Sequence, residues 1–562
     1  MTRLRSLLAA SAMAAALGGA CVGAGGSADL GDVARSGSRS TRYDDLRALF
    51  TDWRAFQKPK LTDGVPDYSA EAMAAQQREL PAYERRLQAI DPAGWPVSQQ
   101  VDWQIVRAEM SGLDFDHRVL KPWANNPGFY VTVFSSQSDQ PAREGPTAYG
   151  SIELWTYSYP LSRDAAGQLD AALRNVPRFL PQAKRNLVGS GKDLWTFGAK
   201  SLRQQSATLV ELAERVADTP NLPDTLKGSI GQAKQATDDL VAWLDGQAAS
   251  KSGPSGIGVE NYDWYLKHVQ LAPYTWQDEV TLMERELARA HADLAAEEQR
   301  NAALPPPAPV ADANDYERRF NAAVSDYMAF LQNRQVMTVR DYMDPALRAR
   351  MGRYRPGPRE FFSEVSYRDA EIMLTHDYHW FDLAQMKRDP HANPIRRGPL
   401  LYNIFNTRTE GHATGWEELM MGMGMLDSRP RSRELIYVLL AERAARALGD
   451  LRMHANQFTL EQAAQFASAN TPRGWLRLDA STVREEQHLY LQQPAYGTCY
   501  VTGKIQFEAL LAARKQQLGD RFSMKTFMDD YNAAGLIPVS LLRWELTGQQ
   551  PPEVARMLAG NR

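Results

Sequence analysis

Two short stretches concentrate the residue types that bind metals and move protons. In the first, Leu374-Thr-His376-Asp377-Tyr-His379-Trp-Phe-Asp382, two imidazoles and two carboxylates fall within seven residues. On a helix at about 100° per residue, His376, His379 and Asp382 advance by about −60° per step and share one broad face. Neutral imidazoles and carboxylates facing one way are ligands that zinc accepts, and a catalytic zinc needs only three of them plus water. The spacing is not that of the HExxH zinc helix, which occurs nowhere in the chain. Read alone, the stretch also fits a polar patch on a half-buried helix. The second stretch, Thr409-Glu410-Gly-His412-Ala-Thr-Gly-Trp-Glu417-Glu418, opens an apolar, Met-rich helix. Glu410 and Glu417 are two turns apart and lie on one face. Acids on an apolar face are costly unless paired, metal-bound or solvated in a cleft. The helix dipole alone would account for Glu410 but less well for Glu417.

The elements that must position these residues are helical. Leu46–Phe56, Ala70–Ile90, Gln168–Val188, Gln204–Val216, Thr225–Leu244, Trp276–Arg300 and Asn314–Asn333 carry apolar residues at three- and four-residue spacing, bounded by Pro, Gly, Asp or Ser. Further on, Arg359–Met386 reads as a short extended piece running into a helix from Tyr367. Leu400–Met425, Arg433–Leu448, Leu460–Ala469, Val501–Gln517 and Met524–Ala534 follow as helices. One strand pair is expected, at Gly128–Phe134 and Ile152–Tyr159, where β-branched and aromatic residues cluster. Lys251–Gly258 and the Pro-rich Leu304–Val310 are loops. No internal repeat or heptad run is present.

Composition sets the class. The chain has 562 residues, 44% hydrophobic and 23% charged, with 64 Lys+Arg against 67 Asp+Glu. These are the fractions of an ordinary globular protein, and a net charge of −3 offers no field for nucleic acid. The N-terminus has the layout of a secretory signal over residues 1–20: Arg3 and Arg5, an apolar run Leu7–Leu17, then small residues to Cys21. Losing it would take the charge to −5. Leu17-Gly-Gly-Ala-Cys21 resembles a bacterial lipid-attachment site, with Leu one place further from Cys than usual. Residues 21–42 read as a flexible tether. With Cys21 lipidated, Cys499 is alone and reads as a small buried residue rather than a nucleophile.

The site-bearing half resembles a bacterial domain-of-unknown-function family, number eight-eight-five, a zincin-like group of exported or lipid-anchored proteins. Its hallmarks are His-Glu-x-x-Pro-Gly-His, then Glu-Gly-Trp-Ala-x-x-x-Glu, Val-Asp-x-Gly-x-His and Pro-Gly-Gln-Ala-x-x-Tyr-x-x-Gly. Here His376–Asp382 takes the first place and Glu410-Gly411-His412-Ala413 with Glu417 the second, thirty-four residues on. Gly449-Asp450 with His454 takes the third, and Pro494-Ala495 with Tyr500 and Gly503 the fourth. Asp377 replaces the family's general-base Glu, Asp382 its second His, Trp380-Phe381 its Pro-Gly, and His412 its Trp. The segments Asn126–Tyr130 and Gly519–Tyr531 are similar to the family's start and end.

The resemblance implies a mainly α-helical, single large zincin-like (gluzincin-like) domain over 43–562 with a minor strand region. An N-terminal helical part would span 43–303 and the site-bearing part 311–562. It also implies one divalent metal on His376 and Glu410, with Asp382 or, as a spare ligand, His379 completing the set; zinc comes in the first instance, with two carboxylates hardening the set toward Mn or Fe. His412 and Glu417 would stand beside the metal. Asp377 or His379 would take a proton, while His454 and Tyr500 would stabilise an oxyanion. The function expected is an exported metal-dependent hydrolase, in the periplasm or as an outer-membrane lipoprotein, acting on a peptide, amide or other small carbonyl substrate. The alternatives are a metal-dependent lyase on the same scaffold, or a metal-free binding protein of the cell envelope.

Overall fold

The computed structural model describes residues 39–217, 219 and 224–559. The expected signal and most of the tether, Cys21 included, lie outside the described residues. The chain is already docked at Ser40. Its N–H donates to the Ala89 carbonyl (2.8 Å) and its carbonyl accepts from the Asp91 N–H (2.7 Å), so the expected tether stops short of residue 42.

The fold is mainly α-helical. Its frame is built from α1 (Tyr43–Phe56), α2 (Ala70–Gln88), α3 (Val97–Phe115), α4 (Lys192–Ala217), α5 (Asp224–Ala248), α6 (Trp276–Arg300) and α7 (Ala313–Asn333). The start of α6 is sharp because Thr275 and Asp278 satisfy each other's backbone N–H groups. The helix expected at Gln168–Val188 is three pieces, Arg163–Leu173, Val176–Phe179 and Pro181–Asn186. Pro177 and Pro181 lack the N–H a continuous helix needs and each sits in the first turn of a new one.

Strand is scarce. β1 (Leu61–Thr62) and β2 (Val65–Pro66) form an antiparallel ribbon, and β3 (Val133–Phe134) and β4 (Ile152–Glu153) a parallel pair with Val133 opposite Ile152. The expected strand pair is thus two residues a side. Its flanks, Pro127–Tyr130 and Leu154–Thr156, are tight 3-10 turns.

Two apolar cores dominate among the described residues. α4 and α5 close over one, through Trp195, Leu202, Leu209 and Leu240 with Phe179. The larger core runs from Trp53 and Ile105 through Met283, Val324 and Tyr327 to Trp416, Leu439 and Phe507. The Pro-rich loop Leu304–Val310 joins α6 to α7, and both helices contribute to that same core.

The site-bearing helices are α8 (Ala370–His376), α9 (His379–Arg388), α10 (Asn406–Gly422), α11 (Arg433–His454), α12 (Thr482–Gln492), α13 (Tyr496–Leu518) and α14 (Met524–Ala533). α10 and α13 cross with their backbones touching. A Cβ on Gly411 would lie 2.3 Å from Gly503 Cα, and one on Gly503 would lie 2.4 Å from the Thr407 carbonyl oxygen. Only glycine at both positions permits this approach. Among the described residues, no helix is long and apolar enough to cross a membrane.

Candidate functional site

The piece expected to be extended before Tyr367 is a short helix, Phe361–Ser366, and the helix expected from Tyr367 starts only at Ala370. It breaks within the first motif: Asp377 ends α8 and Tyr378 precedes α9. His376 and His379 therefore belong to different helices, and the single broad face expected of them does not form. The break instead turns their rings edge to face, 5.0 Å apart at 87°.

Glu410 on α10 meets both. Its Oε1 accepts from the Tyr496 hydroxyl (2.6 Å), the Gln140 amide (3.0 Å) and the Tyr500 hydroxyl (3.1 Å). Its Oε2 faces His379 Nε2 at 3.2 Å and His376 Nε2 at 3.5 Å. The His379 ring is buried. One ligand atom from each of His376, His379 and Glu410 lies within 4.8 Å of the other two. A tetrahedral zinc with arms of about 2.0–2.1 Å has ligand–ligand edges of about 3.3–3.4 Å. The two measured edges bracket that value, so two imidazoles and a monodentate carboxylate fit a divalent cation.

Glu417, two turns along α10, supports His376. Its Oε1 lies 3.0 Å from His376 Nδ1. Arg443 on α11 grips both oxygens of Glu417 at 2.7 Å and also reaches within 3.1 Å of the same Nδ1. With the proton placed on Nδ1, where Glu417 accepts it, the Nε2 lone pair of His376 faces Glu410; carboxylate-oriented histidines of this kind are common in metal sites. Burial works to raise the Glu410 carboxyl, but the two imidazoles outweigh it and hold the group well below its usual range. Burial likewise opposes charge on His379, yet Glu410 beside it wins and pushes it up to about 9. Burial lifts Asp377 to about 6 despite both imidazoles, and Asp139 adds to the lift.

Asp382, expected as a ligand, is elsewhere. Three residues beyond His379 on α9, it is buried against Arg408, which donates to both of its oxygens at 3.2 Å and to Asn532 on α14 at 2.9 Å. His379 stands in the group in its place. His454, expected near the oxyanion, sits at the end of α11 with Nε2 3.0 Å from the Tyr490 carbonyl and 3.5 Å from Asp450. Its ring packs on Tyr262, and burial lowers it to about 4. His412 follows Glu410 by about 200° around α10 and so faces the core. Tyr378, Trp416, Phe507 and Tyr531 cage it, neither nitrogen has a partner, and burial drives it well below its usual value.

Four residues escaped the reading of the sequence: Tyr496, Arg443, Arg408 and Gln140. Tyr496 precedes Tyr500 by one helical turn, a spacing that signals a shared face. Arg443 and Arg408 are charges inside apolar helices, which signals buried partners without identifying them. Gln140 lies 270 residues from Glu410 in an irregular segment; no local pattern could have placed it there.

Two solved structures share the fold. A candidate lipoprotein of unknown function from Shewanella oneidensis aligns at 14% identity and a TM-score of 0.65, over 90% of this chain and 100% of its own. A candidate lipoprotein from Colwellia psychrerythraea aligns at 15% identity and a TM-score of 0.60, over 92% and 98%. No curated protein matches the chain. The sequence pattern described as bacterial protein of unknown function (DUF885) matches residues 53–380 and 342–546, the two together taking in most of the chain including both site motifs. On that match, the protein belongs to this bacterial family.

Proposed function

We propose that the protein is an exported, zincin-like metal-dependent hydrolase acting on a peptide, amide or other carbonyl substrate. Glu410 carries the reading. One of its oxygens is saturated by three donors, while the other faces two imidazole nitrogens in a buried group. A carboxylate oxygen in such a place needs positive charge beside it, and a divalent cation on the two imidazoles would supply it in place of the proton on His379. His376, His379 and Glu410 would hold the ion, zinc first with manganese or iron as alternatives; when bound it supplies Lewis acidity toward a carbonyl and a water.

The chain's own residues supply the rest. Glu417, fixed by Arg443, orients His376. Tyr496 and Tyr500 orient Glu410 by donating to Oε1. Asp377, at the break between the two histidines, would take a proton. The candidate-lipoprotein descriptions of both structural relatives support export and lipid attachment at Cys21.

One observation favours a second reading, a metal-free binding protein of the envelope. Arg443 brings a guanidinium within 3.1 Å of His376 Nδ1, positive charge beside a proposed ligand. The two readings part on Glu410→Gln. For the hydrolase, wild type purified without chelator carries about one transition metal per chain. The variant loses that metal and hydrolysis while its circular dichroism is unchanged. Full metal occupancy in the variant would remove Glu410 from the ligand set. A metal-free wild type, with the variant melting several degrees higher, would establish the binding protein.

A further inference from the structure

Gln140 enters the site as if it were a ligand. It lies on the irregular segment 135–151 between β3 and β4, yet it is only 3% exposed. Its amide nitrogen donates to Glu410 Oε1 at 3.0 Å, and its amide oxygen accepts from the Thr409 hydroxyl at 2.7 Å. Adjacent residues of α10 thus read both ends of one carboxamide, an acceptor for the NH and a donor for the C=O. A carboxylate could not replace it, because the face toward Glu410 would then carry like charge.

The same segment walls a cleft of about 560 Å³ lined by Tyr68, Phe129, Tyr149, Tyr402 and Gln493 among others. Gly145 N–H donates to Gln493 Oε1 at 2.8 Å, and Asn403 donates to the same oxygen at 2.6 Å. The Gln493 amide nitrogen is buried in that wall without an acceptor. Three residues further on, Tyr496 reaches Glu410. One strap therefore borders the cleft with one part and fills the Thr409–Glu410 position with another.

We propose that Thr409 and Glu410 form a carboxamide-reading subsite beneath this strap, with Gln140 as its resident stand-in, displaced when a ligand amide enters. The ligand class is a neutral amide such as a peptide group or a glutamine-like side chain. The Gln493 amide nitrogen, without an acceptor, supplies a further donor in the cleft wall that the strap borders. The subsite's place in catalysis rests on the hydrolase reading; its existence does not.

The test uses propionamide, which matches the Gln140 side chain beyond Cβ, with propionate as the control. Gln140→Ala should melt a few degrees below wild type, and propionamide should restore the shift saturably while propionate does not. Equal effects of the two compounds, or an equal effect of propionamide on wild type and variant, would overturn the subsite. A readout on wild type covers the case in which the variant does not fold: propionamide should speed tryptic cleavage after Arg143 in the strap several-fold over propionate, and no acceleration would also overturn it. Metal is counted in the same samples. Failed rescue with metal retained defeats the subsite alone, whereas rescue in protein that never held metal defeats the hydrolase alone.

Discussion

Two regions around α10 bury carboxylates, and they neutralise them in different ways. Asp382 and Glu417 each receive a guanidinium that contacts both oxygens, from Arg408 and Arg443. These pairs are closed: the strong donors and acceptors are matched on the spot. Glu410 lies between them in sequence and is equally buried, but its second oxygen meets only imidazole nitrogens. Imidazoles can surrender a proton and offer a lone pair; guanidiniums cannot. The contrast separates charge that specifies packing from charge left available for a ligand.

The largest expected effect attacks a closed pair. Arg408→Met strands Asp382 in the core and should cost about 3–5 kcal/mol in urea denaturation. A loss below about 1 kcal/mol would mean that Asp382 is carried neutral and that its region is not closed by charge.

Glu279 on α6 is a third kind of buried acid, with the hydroxyls of Thr498 and Tyr262 rather than a cation beside it, and burial pushes it up to about 8. The folded value is raised above the unfolded one, so the native state binds the extra proton. Its contribution is complete below about pH 4 and is lost as pH rises through about 8. Glu279→Gln should match wild type near pH 4 and exceed it by up to about 4 kcal/mol at pH 9 in denaturation series. A constant difference across pH would show that Glu279 is charged and closed by a partner.

His412 is the imidazole counterpart, buried but with nothing to bind. His412→Leu should gain about 1 kcal/mol by removing two unsatisfied nitrogens, with metal content unchanged. A loss of metal would extend the open region across α10.

The smallest effect concerns backbone. Ala495 holds φ at 65° in the turn that delivers Tyr496 to Glu410. A left-handed residue costs about 1–2 kcal/mol, and glycine's extra chain entropy takes back part of the relief. Ala495→Gly should therefore gain about 0.5 kcal/mol in thermal melts while the site keeps its metal. Weaker metal binding would show that the strained turn also tunes the open carboxylate.

The helical character was legible because amphipathic periodicity is local: Trp276–Arg300 stands as the spacing predicts, with its capping box at Thr275. Gln168–Val188 misled because its prolines sit at spacings that keep the apolar stripe while breaking the helix into three. The strand pair misled because β-branched and aromatic residues mark a buried face whether or not a ladder forms.

At the site, the sequence by itself determined which residue types are present and that Glu410 and Glu417 share a face, since both follow from composition and the 3.6-residue period. It also carried the family pattern. Tertiary structure alone decided which side chains converge. The break at Asp377–Tyr378 brought His379 rather than Asp382 to Glu410, the glycine crossing of α10 and α13 brought in Tyr496 and Tyr500, and a distant strap brought in Gln140. The physical reason is that a ligand set depends on direction and distance between elements. A backbone break or a helix crossing changes both through contacts tens to hundreds of residues apart, which no local pattern encodes.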